Sequence, residues 1–162
     1  TLLQSGPCGT LVATGVNGVT VTPVTKGIKL IFPISGMVTQ HDNTDALRID
    51  HSGSVTLEND CYSITLSTLR VTNFGLSNQG SSFDVSAVTK SADDFGRQVV
   101  FTLDLSGAQI VFSGNKVRTA QMNLITALEG AQELNELAVN AETGPFVAGQ
   151  KIGSAKTRLV LP

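Results

Sequence analysis

Short stretches in which apolar and polar residues alternate recur along the first two thirds of the chain. In Ala46–His51, for example, Leu47 and Ile49 would share one face of a strand. About ten such segments lie between Thr10 and Val117, separated by Gly, Ser, Asn and Pro residues that favour turns. The pattern predicts a mainly β fold, with residues 1–162 forming a single two-sheet antiparallel β-sandwich domain.

One segment departs from this alternation and predicts a helix near the C-terminus. Apolar residues recur at helical spacing from Thr119, which is placed to cap the helix. The predicted apolar positions are Leu124, Ala127, Leu128, Ala131, Leu134 and Ala138. Gly130 would destabilise the helix by about 1 kcal/mol relative to alanine and would divide it into two shorter pieces. Glu133 is expected to stay exposed. The helix is expected to pack on the sandwich, before a return to β structure at Ser154–Leu161.

The composition excludes some partners and favours export. The chain contains eleven basic and thirteen acidic residues, which gives a net charge of −2, so it lacks the basic surplus of a nucleic-acid-binding protein. No apolar run approaches the roughly 18 residues of a membrane-spanning helix, and no leader pattern opens the sequence. The Thr/Ser-rich composition, with only 15% charged residues, is common in exported bacterial β-domains. We expect a secreted or cell-surface protein of the bacterial envelope.

The two cysteines, Cys8 and Cys61, are expected to form a disulfide. The bridge would tie the N-terminal segment to the body, contributing on the order of 3–4 kcal/mol. Two unpaired buried thiols are the alternative.

Clustered polar residues offer a weak case for a metal. A hairpin could bring together His41, Asp42, Asp45 and His51, but their spacing matches no ligand motif, and Asp and Asn are ordinary turn residues. Asp93-Asp94 lacks the spaced carboxylates of a calcium loop and is expected in a solvated loop. We therefore expect no metal and no cofactor.

Catalytic motifs are missing as well. The sequence contains no nucleophile elbow, phosphate-binding loop or dinucleotide fingerprint, so we expect no enzyme. Tyr62, the only tyrosine, could ligate haem iron or donate a hydrogen bond, although a half-buried strand position is the ordinary interpretation. Lys26, Lys29, Arg48 and Arg70 fall on separate strands, and the sequence indicates no anion-binding patch among them.

Several motifs, in this order, resemble the HtaA-type conserved region, which occurs in haem-uptake proteins of Gram-positive bacteria and in other exported proteins. The matching segments are Phe32–Gly36, His51–Leu57, Leu66–Val71, Phe101–Ala108 and Phe146–Ala155, within a likeness that extends to Leu161. The resemblance implies an exported β-sandwich with short helices. It also implies haem binding through a tyrosine in an aromatic-rich N-terminal segment, supported by a histidine in the middle of the domain.

The two haem-binding residues of the family have no counterpart here. The segment from Cys8 to Ile31 contains no aromatic residue, and the position nearest the family's histidine reads Asn59-Asp60. We therefore expect a non-catalytic surface or envelope module, adhesive or structural, that contacts a surface partner or small ligand of unknown identity. The alternative is a protein of an uptake system that binds haem or another small ligand.

Overall fold

The computed structural model describes residues 8–25, 27–39, 47–74, 80–88, 92–104, 109–139 and 144–160. Within these ranges the chain forms 12 strands and one helix. The strands are β1 Val12–Val16, β2 Thr20–Val24, β3 Gly27–Ile31, β4 Ile34–Thr39, β5 Leu47–His51, β6 Ser54–Glu58, β7 Ser63–Phe74, β8 Gly80–Val88, β9 Ala92–Asp104, β10 Gln109–Ser113, β11 Lys116–Thr126 and β12 Lys151–Val160. The helix, α1, is Leu128–Val139, and no helix in these ranges is long and apolar enough to cross a bilayer.

Ten of the described strands hydrogen-bond into one sheet. Its main path is β1-β6-β7-β8-β9-β11-β10, β12 pairs with β11, and β4 and β5 branch from β7. The strands β2 and β3 form a separate two-stranded sheet. All of these pairings are antiparallel. The twelve strands and the single helix near the C-terminus in the described ranges confirm the predicted mainly β architecture. Two facing sheets of a sandwich are not confirmed, because the ladder joins most strands into one.

The branch in the sheet arises at a break inside β7. Residues 63–67 pair with β6, and the part of β7 from Arg70 onward pairs with β5 along the same edge. Between these two parts Thr68 has φ 47°, an uncommon conformation for a residue with a β-branched side chain. Arg97 donates to the Thr68 carbonyl and hydroxyl oxygens at 3.1 and 3.0 Å. The irregularity directs one half of β7 toward β6 and the other toward β5.

A tight turn leads the chain from the large sheet into the β2–β3 hairpin. Asn17 and Gly18 both have positive φ, 54° and 90°, as a two-residue turn of this kind requires. The strands on either side of the turn do not pair with each other, since β1 pairs with β6 and β2 with β3. Three apolar side chains of the hairpin, Val21, Ile28 and Leu30, pack against the larger core cluster.

Two clusters of buried apolar side chains form the core in the described part of the chain. The larger core cluster contains Leu11, Val19, Val55, Leu57, Tyr62, Ile64, Leu66, Val100 and Leu137. The smaller core cluster contains Ile49, Val71 and Leu103. Strand residues with alternating positions supply most of both clusters, and Leu137 comes from α1.

The helix begins later than its sequence pattern predicts. Thr119 lies inside β11 and is not a helix cap. Along the end of β11, Met122 and Thr126 are buried and Leu124 packs against the smaller core cluster. Residues two apart therefore face inward, and the β11 backbone hydrogen-bonds to β9 and β12. Positions 124 and 128 satisfy both a helical and a strand pattern, which explains the error.

Gly130 brings the helix close to the sheet and does not divide it. A Cβ atom at Gly130 would lie 1.9 Å from the carbonyl oxygen of Val100 in β9. The same carbonyl accepts a hydrogen bond of 3.0 Å from the Ala127 N–H, just before the helix. Leu128, predicted to be buried, is 60% exposed, whereas Glu133, predicted to be exposed, is half-buried. The buried face is turned toward Ala131, Leu134 and Leu137.

Candidate functional site

The single tyrosine is buried under the helix. Tyr62 immediately precedes β7, is only 4% exposed and belongs to the larger core cluster. Its hydroxyl donates a hydrogen bond of 2.5 Å to Oε2 of Glu133 on α1. Burial raises the pKa of the Glu133 carboxyl, the Tyr62 hydrogen bond lowers it, and the negative charge of Glu136 raises it further, with a net increase. Tyr62 thus donates a hydrogen bond, as one interpretation of the sequence allowed, but it is buried just before the strand and not half-buried within it.

The loop between β6 and β7 fixes Tyr62 in place through Asn59. The Asn59 Oδ1 accepts hydrogen bonds from the Cys61 and Tyr62 N–H groups at 3.0 and 2.9 Å. Its Nδ2 donates to the carbonyl oxygen of Leu137, near the end of α1. An asparagine side chain that bonds to the backbone two residues ahead is common in such turns. Here the same side chain also connects the turn to the helix.

The predicted disulfide between Cys8 and Cys61 is present in the same loop. The two Cα atoms are 5.4 Å apart, and the residues are separated by 53 positions in the sequence. The Asp60 N–H also donates to the Cys8 carbonyl oxygen at 3.0 Å. The loop thus connects the segment before β1, the strand β7 and the helix.

The candidate metal ligands of the sequence are only partly described. His41, Asp42 and Asp45 lie outside the described residues. His51 is half-buried at the end of β5, where burial lowers its pKa more than bonding to the Leu69 backbone and the charge of Asp50 raise it. Its Nδ1 is buried and has no hydrogen-bond partner in the described ranges, which contain no group of three potential metal ligands.

Asp93 and Asp94 were expected in a solvated loop, and this prediction was wrong. Both residues belong to β9, where they lie opposite Ala87 and Ser86 of β8. The polar character of the segment concealed a strand, because pairing with β8 satisfies the backbone whatever the side chains are.

Two arginines that the sequence places on separate strands meet around one carboxylate. We call Arg48, Asp50 and Arg70 the arginine cluster. Asp50 and Arg70 are directly opposite each other on β5 and β7, and Nε of Arg70 lies 3.0 Å from Oδ1 of Asp50. Nη2 of Arg48 lies 3.0 Å from Oδ2 of the same carboxylate. Burial raises the pKa of Asp50, but the hydrogen bonds and charges of Arg70 and Arg48 outweigh this effect and lower it.

The arginine cluster is the part of the candidate site that the sequence did not reveal. The alternation in β5 predicts that Arg48 shares a face with Asp50, but the pairing of β5 with β7 is long-range. Only that pairing brings Arg70 to the same place. The face is accessible, since the side chains of Arg48, Arg70 and Asp50 are 32%, 35% and 27% exposed.

Comparison with known proteins gives matches among solved structures. No family model and no curated protein sequence matches the chain. The crystal structure of the C-terminal domain of HtaA from Corynebacterium glutamicum matches with a TM-score of 0.63 and 14% identity, covering 91% of this chain and 81% of that one. A histidine-to-alanine variant of the same domain, solved as a domain-swapped dimer, matches with a TM-score of 0.66 and 13% identity, covering 94% and 84%. The chain thus has the HtaA-type fold that its sequence motifs predict.

Proposed function

We propose that the chain is a non-catalytic, exported single-domain module that has a structural or adhesive role in the bacterial envelope. Export is supported by the Cys8–Cys61 disulfide, because such bonds form and persist in oxidising compartments. The surface partner is unidentified, and the charge balance argues against a nucleic acid.

The observation that carries the proposal is the burial of Tyr62. The resemblance to the HtaA-type region implies a tyrosine that ligates haem iron. In this chain the only tyrosine is 4% exposed, and its hydroxyl donates to Glu133. Iron ligation would require breaking that hydrogen bond and opening the larger core cluster. A structural role for Tyr62 therefore agrees better with its surroundings.

The ionisable groups described above also support a non-catalytic role. Asp50 is held between two arginines, Glu133 accepts from Tyr62, and His51 is half-buried beside the backbone of Leu69. A general acid or base needs access to a substrate proton, and these groups are engaged within the fold.

Haem titration tests the proposal. We expect that hemin added to the purified protein gives no saturable shift of the Soret band, and that Tyr62→Phe behaves like the wild type. A saturable change at one haem per chain that Tyr62→Phe abolishes would overturn the proposal. His51→Ala is titrated with hemin in the same way as a matched variant, because it tests whether the half-buried histidine contributes to any haem binding.

Export is tested separately through the cysteines. Protein taken from its own cells, with thiols blocked at lysis and then denatured, is expected to contain no free thiol. Recovery with two free thiols would contradict export.

The second candidate function is binding of haem or another small ligand in an uptake system. The specific observation in its favour is the similarity to the HtaA C-terminal domain over more than nine tenths of the chain. It predicts saturable hemin binding that persists in Tyr62→Phe, through residues other than the tyrosine.

A further inference from the structure

We propose that the arginine cluster, Arg48, Asp50 and Arg70, is a binding site for a small oxyanion, such as a carboxylate or phosphate group. The inference goes beyond the proposed function and does not depend on it, because neither Tyr62 nor the disulfide contributes to the cluster. It rests on the hydrogen bonds within the cluster, on its charge and on its position on the sheet.

The hydrogen bonds leave the outer ends of both guanidinium groups available. Asp50 accepts a hydrogen bond from Nε of Arg48 on Oδ2 and one from Nε of Arg70 on Oδ1, and Nη2 of Arg48 lies within ion-pair distance of Oδ2. Within the described residues, Nη1 of Arg48 and both terminal nitrogens of Arg70 have no protein partner. A carboxylate that holds Nε fixes the orientation of the guanidinium plane. The remaining N–H groups then point to a defined region, and this fork geometry suits the two oxygens of a carboxylate or phosphate.

The arginine cluster has a net positive charge, which favours the binding of an anion. Two guanidinium groups share one carboxylate, so the cluster carries a net charge of about +1 when Asp50 is ionised. The lowered pKa of Asp50 keeps it ionised at neutral pH. The groups are about one third exposed, so a ligand can reach them while part of each side chain is shielded from water. Partial shielding strengthens a charge-assisted hydrogen bond compared with one in bulk water.

The sheet supplies a rigid support and open space beside the cluster. On the opposite side of β5 and β7, Ile49 is fully buried and Val71 is buried in the smaller core cluster. Gly36 of β4 lies directly opposite Asp50. Apart from Gly36 and its two chain neighbours, no atom of the described residues lies within 4 Å of the position that its Cβ would occupy. Because paired residues of an antiparallel ladder share a face, the open position at Gly36 is next to Asp50 and Arg70. A small anion could occupy it without displacing a side chain from the part of the chain that the structure describes.

The test is a titration with inorganic phosphate at constant ionic strength, with sodium chloride as the reference salt, followed by NMR of the arginine Nε–H signals. We expect saturable shifts of the Arg48 and Arg70 signals. Arg70→Gln should weaken phosphate binding by at least about tenfold, because it removes a charged fork donor. Arg70→Lys keeps the positive charge but loses the forked guanidinium group, so its phosphate affinity should lie between that of the wild type and that of Arg70→Gln. A parallel titration with acetate shows whether a planar carboxylate binds better than a tetrahedral phosphate.

The matched control is Arg158→Gln, which changes an exposed arginine on β12 and should leave phosphate binding unchanged. Denaturant unfolding of each variant verifies that the fold persists. The proposal is overturned if the shifts grow linearly without saturation in both phosphate and acetate. It is also overturned if Arg70→Gln binds phosphate as the wild type does.

Discussion

Polar contacts from single residues connect α1 to its surroundings at three points along its length. Asn59 bonds to the Leu137 carbonyl oxygen near the C-terminal end of the helix, and Tyr62 bonds to Glu133 near its middle. At the N-terminal end, the Val100 carbonyl oxygen accepts from the Ala127 N–H. These polar contacts connect α1 to the loop between β6 and β7 and to β9.

Replacing Tyr62 by phenylalanine tests the contribution of its hydroxyl. The substitution leaves the half-buried Glu133 carboxyl without this donor while preserving the aromatic ring. We expect the free energy of unfolding to fall by about 1–2 kcal/mol. Denaturant melts measure the change, and a double-mutant cycle with Glu133→Gln separates the Tyr62–Glu133 coupling from other effects. A decrease below about 0.3 kcal/mol would show that the hydrogen bond contributes nothing measurable.

The raised pKa of Glu133 predicts a pH-dependent stability. Because burial favours the protonated form in the folded chain, this stabilising contribution is complete below 4.5, the ordinary value. It is lost as pH rises through the higher folded pKa. Glu133→Gln cannot ionise, so its stability relative to the wild type should increase over that pH range. Melts from pH 4 to 7 measure this difference, and Glu58→Gln on an exposed side chain is the control. A difference that stays constant with pH would contradict the assignment.

Sequence patterns identify some of these residues and not others. The cysteine pair could be predicted, because an even cysteine count in an exported-looking chain implies a bond whatever the fold. The partnership of Tyr62 with Glu133 could not, since 71 positions separate them. Which face Glu133 occupies also depends on where the helix packs, and that is decided by tertiary contacts.

At the scale of the elements, the stability of α1 depends on the apolar face that the helix buries against the sheet. Leu134 is 5% exposed, whereas Leu128 at the first position is 60% exposed. A 12-residue helix is marginal by itself in water, so its stability must come from this burial.

Two leucine substitutions measure that dependence. Leu134→Ala should reduce the free energy of unfolding by about 2–5 kcal/mol, because it leaves a cavity in packed surroundings. Leu128→Ala should change it by no more than about 0.5 kcal/mol, as exposed positions usually do. Denaturant melts compare the variants. Equal losses would mean that Leu128 is buried against a partner or that the helix packs differently.

Gly130→Ala tests the close approach of α1 to β9. Alanine has the higher helix propensity by about 1 kcal/mol, so an isolated helix would gain stability. In this fold the added methyl group would overlap the Val100 carbonyl oxygen, and backbone cannot move aside as a flexible side chain can. We therefore expect Gly130→Ala to destabilise the protein by about 1–3 kcal/mol in denaturant melts. Gln132→Ala, on the exposed side of the same helix, is the control. A gain in stability would show that helix and strand are farther apart.

Periodicity predicts the element types better than their boundaries. Strands such as β5 and β6 stand close to where alternation places them. The strand β7 runs through the irregularity at Thr68, which alternation alone does not predict. The predicted start of the helix was wrong because Leu124 and Leu128 fit both a helical and a strand period. The pairing of β11 with β9 and β12 determines that residues up to Thr126 form a strand.

At the scale of the whole molecule, the disulfide shortens the unfolded chain. Its closed loop of about 53 residues corresponds to about 4 kcal/mol in the chain-entropy description. The double variant Cys8→Ala/Cys61→Ala should lose about that amount of stability in denaturant melts. Added reductant should reproduce the loss in the wild type and have no effect on the double variant. A wild-type stability that reductant leaves unchanged would contradict the prediction.

The overall β character follows from the sequence, but the order of strands does not. Alternation and turn residues are local, so they indicate that strands exist. The branching of β5 from β7 and the separation of β2–β3 depend on pairing between distant segments. The arginine cluster belongs to this second kind of information, as Arg48 and Arg70 meet only through that pairing.

The position of the disulfide also determines how the domain carries mechanical load. Tension entering the chain before Cys8 and leaving after Cys61 passes through the covalent bridge, so the 53-position segment between them is excluded from the load path. That segment includes β1 to β6, and with them Arg48 and Asp50. At about 3.3–3.6 Å per residue, the bridge withholds roughly 180 Å of extension from a stretched molecule. Under tension, β1 to β6 would therefore bear no load, and the extension of this part of the molecule would come from the residues after Cys61.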